Sequence, residues 1–468
     1  MDNSVTFVLA GAERKVGNPY RQCTSEKELV KEFVLVYPIL KPAHRLNLVL
    51  PRSSSNEYKL LEFMSKSTPN VFLYDTLANV LTTDINVVAE TANTYKKNGL
   101  LSPSDLDVNF LQDPLFDVDL ESDLGFTKSD LKKLEKASLN WGFNVHEYSS
   151  NELLAILFII FKGYLNNSND QGSKSHNSQS TELHGSDNAG SIPVISDREL
   201  MWFLCICRIL YKSYAPYHSF WHCVDVAQFS HMLLSNPNPW ELTRKEKFHT
   251  VIAAAGHDIL HPGLNYKVVC GIDPSFKSKY KNLEEYHINT LGRLVTQLLP
   301  QIASSQKITH EAIAATNLEM HCKLTCQAPT FVHVLKMSDF ACTVRPGYGP
   351  HYATSVLIFL EFRNEYDIRS MLDVSTGCKL IFNPHIPEAE ALIDLQISFM
   401  TNMIVPYFKW LAECFPPFER HHASALLKLQ RFESMKRSKS FGFCENYPLL
   451  GMVSCGKVSH KEGAGAAR

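Results

Sequence analysis

His218 and His222 stand four residues apart, and a second run, His257-Asp258-Ile259-Leu260-His261-Pro262-Gly263, begins 35 residues after His222. An i, i+4 pair lies on one helix face, and an adjacent His-Asp can present two different ligands to one cation. Asp339 stands alone further along the chain. Two imidazoles and two carboxylates, from His222, His257, Asp258 and Asp339, suit a borderline or hard divalent ion: Zn²⁺ first, with Mg²⁺ or Mn²⁺ beside it. Asp258 is the natural bridge, because it adjoins His257 and can face two ions. A carboxylate bridging two ions holds them roughly 3.5–4 Å apart, a spacing at which shared water becomes hydroxide. Such a hydroxide would attack phosphorus, with the ions neutralising charge that builds on the phosphoryl oxygens. A single histidine on a helix is ordinarily a packing residue. The set together reads as a metal-dependent hydrolase.

The clusters sit within a longer series of motifs. Tyr217-His218-Ser219-Phe220-Trp221-His222-Cys223-Val224-Asp225-Val226 resembles the Y-H-N-x-x-H-A-x-D-V signature of the class I cyclic nucleotide phosphodiesterases, and His257–Gly263 resembles their H-D-x-x-H-P-G motif. Trp141-Gly142-Phe143 followed by Leu153–Phe161 is similar to the opening of their catalytic domain. Leu283-Glu284-Glu285-Tyr286-His287 resembles L-E-N-x-H, and Gln396-Ile397-Ser398-Phe399 resembles Q-V-G-F. Lys336-Met337-Ser338-Asp339, with Arg345 six residues later, resembles K-A-A-D-I-S-N-x-x-R. Order and rough spacing hold over about 300 residues, and His261–Tyr266 with Glu284–His287 is most similar to the fungal high-affinity cyclic AMP enzymes.

The resemblance implies roles by position. His222, His257, Asp258 and Asp339 would bind the first metal, taken as zinc. Asp258 would also reach a second, usually magnesium, whose remaining ligands are waters held by His261, Glu284 and Thr316. His218 would be the general acid that protonates the leaving ribose 3′ oxygen, a role suited to an imidazole whose pKa lies near working pH. Glu361 would orient and charge His218. Gln396 would hydrogen-bond the purine, Phe399 and Ile358 would sandwich it, and Tyr217 would line the substrate site. Phe399 and Ile358 equally fit a packed helix face. His287 and His321 read as groups supporting the site or as ordinary surface histidines. Asp225 reads as a packing acid or as the partner of a ligand histidine.

Four positions depart from the family pattern. Ser219 replaces an asparagine after the general acid and is shorter. Asn317, in Thr316-Asn317-Leu318, replaces an aspartate and removes a negative charge near the second metal. Cys342 stands where an asparagine usually contacts the purine, which bears on the choice between cyclic AMP and cyclic GMP. Cys223 replaces a small alanine on the metal helix.

Residues 1–125 read as a small α/β region of unassigned role, with β-rich runs at Val5–Leu9, Phe33–Leu40, Leu46–Leu50 and Val71–Tyr74 and helical spacing over Asp75–Asn98. Residues 126–432 read as an all-helical catalytic domain of the HD type, making the chain mainly α. Ser150 and Asn151 are candidate N-caps for Glu152–Tyr164. Further helices are expected at Asp197–Tyr214, His222–Leu234, Arg244–Ala255, Leu283–Leu299, His310–Cys322, Thr330–Thr343, Tyr352–Asn364 and Glu388–Phe415. Residues 166–191 are almost all Ser, Asn, Gly, Asp, Gln and His, too polar to offset the entropy of ordering, so a disordered insertion is expected there and His176 and His184 are read as solvated. Residues 433–468 read as a flexible tail in which Lys436-Arg437-Ser438-Lys439-Ser440 could accept a phosphate from a basophilic kinase.

A net charge of −2 points to neither nucleic-acid nor membrane attraction, and the longest strongly apolar run, Leu153–Phe161, is too short to span a bilayer. Neither a signal peptide nor a prenylation box is read at the ends. Twelve scattered cysteines without a C-x-x-C pair fit reduced thiols in cytosol or nucleus. The expectation is hydrolysis of a cyclic nucleotide, cyclic AMP favoured, to the 5′-monophosphate. The rivals are a dual cyclic AMP/cyclic GMP enzyme, an HD-type hydrolase of linear nucleotides, and a sensor that binds cyclic nucleotides with little turnover.

Overall fold

The computed structural model describes residues 5–10, 20–23, 45–49, 71–74, 87–100, 102–103, 118–166, 192–211, 215–235, 240–325, 329–374, 382, 385–386 and 388–438. Near the N-terminus four strands, β1 (Val5–Ala10), β2 (Tyr20–Cys23), β3 (Arg45–Val49) and β4 (Val71–Tyr74), form one sheet in the order β2-β1-β3-β4. β1 runs antiparallel to both β2 and β3, and β3 runs parallel to β4. Three of the four β-rich runs are thus strands. Phe33–Leu40 lies outside the described residues. β2 was not expected, since Tyr-Arg-Gln-Cys is short and lacks the apolar alternation that marks a half-buried strand.

The helices are α1 (Val87–Asn98), α2 (Lys128–Ser138), α3 (Ser150–Asn166), α4 (Asp197–Leu210), α5 (Phe220–Ser235), α6 (Arg244–Gly256), α7 (Tyr266–Ile272), α8 (Pro274–Lys279) and α9 (Leu283–Leu298). They continue as α10 (Lys307–Thr316), α11 (His321–Thr325), α12 (Val332–Asp339), α13 (Ala341–Val344), α14 (Gly349–Met371), α15 (Glu388–Phe399), α16 (Val405–Cys414) and α17 (Glu419–Ser438). Reciprocal capping boxes start α2, α4 and α6, at Thr127/Asp130, Ser196/Glu199 and Thr243/Glu246, and a pair of the same kind starts α3. The cap of α3 is Ser149, one residue before the expected pair: its N–H donates to Glu152 at 2.8 Å while Glu152 N–H donates back to its hydroxyl at 3.3 Å. Asn151 is engaged elsewhere, accepting from the Arg208 guanidinium at 2.9 Å. α4 and α5 are buried almost all round, as central helices are, and α6 and α12 pack against α5.

Three expected helices are interrupted. His310–Cys322 breaks at Asn317, whose φ −50° and ψ 124° end α10. Thr330–Thr343 breaks at Phe340, leaving Asp339 at the end of α12. Glu388–Phe415 carries a π-helical turn at Met400–Ile404, directly after Phe399. That apolar stretch is long enough to cross a membrane by length and composition alone, but α15 and α16 both pack on α17. Neither α7 nor α8 was expected. Each is short and capped locally, by Asn265 and Asp273 respectively.

The helical body also draws on residues before 126. α1 lies against α14, Ala92, Tyr95, Val118 and Leu120 join the main core, and the Tyr95 hydroxyl donates to Pro262 O at 2.8 Å. At the other end α17 runs to Ser438, beyond the expected start of a flexible tail at 433. Phe432 and Met435 are buried with Tyr352, Leu392 and Ile393, which anchors those last turns. Residues 167–191 and 439–468 lie outside the described residues, and with them residues 439 and 440 of the expected phosphorylation segment.

Candidate active site

α6 ends where its last residue, Gly256, meets α9; a Cβ there would lie 2.5 Å from Leu291 Cδ1, so a larger residue would require the Leu291 side chain to move. His257 and Asp258 follow at once, in a turn where Leu260 adopts φ +61° and Gly263 φ +66°. A β-bearing residue in the left-handed region stores strain, a feature found at functional sites. α5 begins at Phe220 and places His222 in its first turn, while α12 ends at Asp339.

These elements bring the expected metal quartet together. His257 Nε2 lies 2.9 Å from Asp258 Oδ2 and 3.3 Å from His222 Nε2. His222 Nε2 lies 3.1 Å from Asp339 Oδ1 and 3.5 Å from Asp258 Oδ2. One donor atom from each residue falls within 4.8 Å of all the others. Ligands at roughly 2.0–2.2 Å from a tetrahedral ion stand a little over 3 Å apart, so the set fits one cation. His257 Nδ1 is 3.0 Å from Ala254 O and donates to it, which fixes the tautomer and leaves the Nε2 lone pair facing the cluster. Burial opposes charge on His257, yet the Asp258 and Asp339 carboxylates outweigh it and hold its pKa well above the usual value. Against the same burial, the imidazoles push Asp258 and Asp339 well below theirs. The carboxylates thus favour positive charge between them, which a divalent cation would supply.

A second group stands beside the first. His218 precedes α5 rather than lying on it, so it does not share a helix face with His222 as expected; the two rings are 6.0 Å apart at 88°. Glu361, on α14, holds it instead. Glu361 Oε1 pairs with His218 Nδ1, while Oε2 accepts the N–H groups of Tyr217 at 3.1 Å and His218 at 3.2 Å. Burial works against the imidazolium, but Glu361 and then Asp258 prevail and raise the His218 pKa to about 9. His261 stacks on His218 with centroids 3.7 Å apart, and its Nδ1 accepts from Gly263 N–H at 3.1 Å. His287 also stacks on His261, at 5.5 Å, donates Nδ1–H to Ile259 O at 2.8 Å, and directs Nε2 toward Asp258 Oδ1, 3.9 Å away. Burial keeps His287 neutral, with a pKa of about 4.

Glu284 lies in the first turn of α9 and Thr316 at the end of α10. Asn317 Nδ2 donates to Glu284 Oε2 at 3.1 Å, joining the two helices. Burial, reinforced by Asp258 and Asp339, raises the Glu284 pKa to about 7. The Thr316 hydroxyl donates to Ile313 O at 2.8 Å, which leaves its oxygen lone pairs as acceptors.

Tyr217, His222, Asp339, Cys342, Thr354 and Leu357 line a small cleft of about 20 Å³ beside the quartet. Gln396, Phe399 and Ile358 are not in that lining. Gln396 is buried, and Phe399 packs edge-on against Phe340 at 5.9 Å. Ile358 is half-buried on α14. Asp225 takes the packing alternative: its carboxylate pairs with the buried Arg345 at 2.9 Å. Two contributors escaped the sequence reading. Tyr211, at the end of α4, accepts the Asp258 N–H at 3.3 Å. Lys336 appeared only as part of a motif, although a lysine flanked by Val334, Leu335 and Met337 was the available signal.

Comparison with known proteins gives one family. Residues 217–426 match 3'5'-cyclic nucleotide phosphodiesterase. The 3',5'-cyclic-nucleotide phosphodiesterase 2 of Saccharomyces cerevisiae is 30% identical over 138 residues, 27% of this chain and 25% of that protein. The cGMP-specific 3',5'-cGMP phosphodiesterase 3 of Dictyostelium discoideum is 23% identical over 258 residues, 48% of this chain and 53% of that protein. The probable 3',5'-cyclic-AMP phosphodiesterase pde-4 of Caenorhabditis elegans is 28% identical over 135 residues, 26% of this chain and 20% of that protein. The chain thus spans about half, or less, of the length of these relatives. In fold it is similar to the crystal structure of yeast caPDE2, with a TM-score of 0.63 at 14% identity over 88% of this chain and 95% of that one. The phosphodiesterase domain of Salpingoeca rosetta rhodopsin phosphodiesterase gives a TM-score of 0.53 at 16% identity over 66% of this chain and 95% of that one.

Proposed function

We propose that the chain hydrolyses cyclic AMP to 5′-AMP; the match of residues 217–426 to 3'5'-cyclic nucleotide phosphodiesterase supports this reading. One observation carries the mechanism: the Glu361–His218 pair stands directly beside the His222, His257, Asp258 and Asp339 quartet. The quartet would hold one cation, taken as Zn²⁺, and Asp258 with waters on His261, Glu284 and Thr316 a second, taken as Mg²⁺ or Mn²⁺. Two such ions, when bound, would supply Lewis acidity toward the phosphoryl oxygens and an activated water.

The remaining work falls to the chain's own side chains. His218, whose pKa the Glu361 carboxylate raises, would hold the proton that the departing 3′ oxygen needs. Because Nδ1 is committed to Glu361, Nε2 is the nitrogen free to give it. Glu361 also fixes the backbone of Tyr217 and His218, so the acid cannot swing from the quartet. Tyr217 borders the cleft and shields it. Gln396 and Phe399 would recognise the purine, with Ile358 on its opposite face.

Cyclic AMP is favoured by the fungal motif pattern and by the naming of the worm relative. Cys342 in the cleft and the cGMP-specific amoebal relative support a dual cyclic AMP/cyclic GMP reading as the second choice. Free Cys205, Cys207 and Cys223 support a reducing, cytoplasmic or nuclear setting. The test is an assay of the purified chain with each cyclic nucleotide before and after chelation and readdition of Zn²⁺ and Mg²⁺. Turnover of cyclic AMP that metals restore is expected. Tight binding without turnover of either nucleotide would point to a sensor.

A further inference from the structure

We propose that Lys336 is a positioning residue for the second cation site: it ties the end of α10, with Thr316 and Asn317, to α12, which ends in Asp339. The proposal rests on the reading that Glu284 and Thr316 serve a second cation. Lys336 lies three residues before Asp339, one helical turn away on the same face. It is fully buried, with 0% of its surface exposed. A buried ammonium is tolerated only where its N–H groups find acceptors. Lys336 Nζ finds three, donating to Ala315 O at 2.9 Å, Asn317 O at 3.3 Å and Thr316 O at 3.4 Å.

Those carbonyls lie where α10 breaks and would otherwise lose their intrahelical donors. A cation there also meets the negative end of the helix dipole. At the same break the buried Asn317 reaches α9: its Nδ2 donates to Glu284 Oε2 at 3.1 Å and its Oδ1 accepts Glu319 N–H at 2.7 Å. A continuous path results: Asp339, one turn of α12, Lys336, the carbonyls of residues 315–317, the Asn317 amide, Glu284. It joins the quartet to the carboxylate and hydroxyl that would hold waters on the second ion. The apolar contact between α10 and α12, through Ala312, Ile313, Val334 and Leu335, is non-directional; the lysine fixes where along α12 the end of α10 sits.

The test compares the full-length chain with Lys336→Met and Lys336→Arg. It reads zinc content by elemental analysis, Mn²⁺ binding by electron paramagnetic resonance of the free ion, and amide exchange by mass spectrometry. Lys336→Met is expected to keep its zinc yet bind Mn²⁺ about 10–100-fold more weakly. Exchange should quicken over residues 314–321 but not in α5 or α6. Lys336→Arg, which keeps a cation with several donors, should recover part of the Mn²⁺ affinity. Unchanged Mn²⁺ affinity in Lys336→Met overturns the proposal. So does loss of zinc and of Mn²⁺ together with faster exchange throughout α5 and α6, the mark of a merely structural lysine. If Lys336→Met does not accumulate folded, Lys336→Gln replaces it, with the same outcomes deciding. An unsubstituted chain that binds no second ion overturns the two-cation reading itself, and that failure shows before any variant is made.

Discussion

Glu361 and His218, 143 residues apart in sequence, meet through both carboxylate oxygens: one takes the imidazole Nδ1 and the other takes two backbone N–H groups. The carboxylate therefore sets both the charge and the position of the ring. Removing the proton source and removing its support have different signatures. His218→Ala should lower kcat by roughly 10²–10⁴ with zinc content unchanged. Steady-state rates with parallel metal analysis decide this, and wild-type turnover in His218→Ala would remove it as the acid.

Glu361→Gln keeps hydrogen bonding but removes the charge that lifts His218 to about pH 9. The alkaline limb of the rate profile should therefore move to lower pH. Stability follows the same sign. The folded pKa lies above the unfolded value of about 6.5. The pair's contribution is thus complete below that pH and is lost as pH rises through about 9. A pH–rate profile of Glu361→Gln that superimposes on the wild type would sink the assignment.

Asp339 is the carboxylate that closes the quartet from α12, with Oδ1 3.1 Å from His222 Nε2 and 3.7 Å from His257 Nε2. Asp339→Ala should lose bound zinc and with it activity, while the helical far-ultraviolet signal persists. Zinc at wild-type stoichiometry in this variant would refute the ligand role.

The quartet was readable because three of its members sit in two local motifs and the fourth ends a third motif. Donor chemistry at short range survives translation into three dimensions. The His218–Glu361 contact rested on resemblance, since no local pattern links residues on different helices. Two helix breaks were not readable: neither Asn317 nor Phe340 is a glycine or proline, and tertiary contacts, including Lys336 on the carbonyls of residues 315–317, hold the first one open. The placing of Phe399 was equally out of reach. Helical period gives its face of α15, but whether that face meets a ligand or Phe340 depends on packing.

Asn317→Asp would set a second carboxylate against Glu284, where the amide now donates at 3.1 Å. Two like charges at that distance repel, and Glu284 is already raised to about pH 7, by burial first and then by Asp258 and Asp339. The chelated protein should melt at a lower temperature than wild type, and the Mg²⁺ concentration for half-maximal rate should fall. Thermal melts in chelator with a Mg²⁺ titration of the rate read both. A higher Mg²⁺ requirement would contradict this account of the site.

Arg345 tests the scaffold rather than the chemistry. Its guanidinium is 3% exposed, pairs with the Asp225 carboxylate at 2.9 Å and donates to Asp225 O at 3.1 Å and Gln228 Oε1 at 2.5 Å. It also lies over the Phe229 ring at 4.9 Å and the Phe143 ring at 5.5 Å. Truncating one partner leaves the other charge buried without compensation, which costs about 3–5 kcal/mol. Arg345→Met should therefore destabilise by that order, whereas Arg345→Met combined with Asp225→Leu should recover much of the loss, because no charge is then stranded. Asp225 sits three residues after His222 on α5 and borders the cleft, so the single variant should also loosen zinc. Urea unfolding of both variants gives the comparison. A double variant no more stable than the single one would show that the guanidinium acts through its ring contacts and backbone bonds, not through the ion pair.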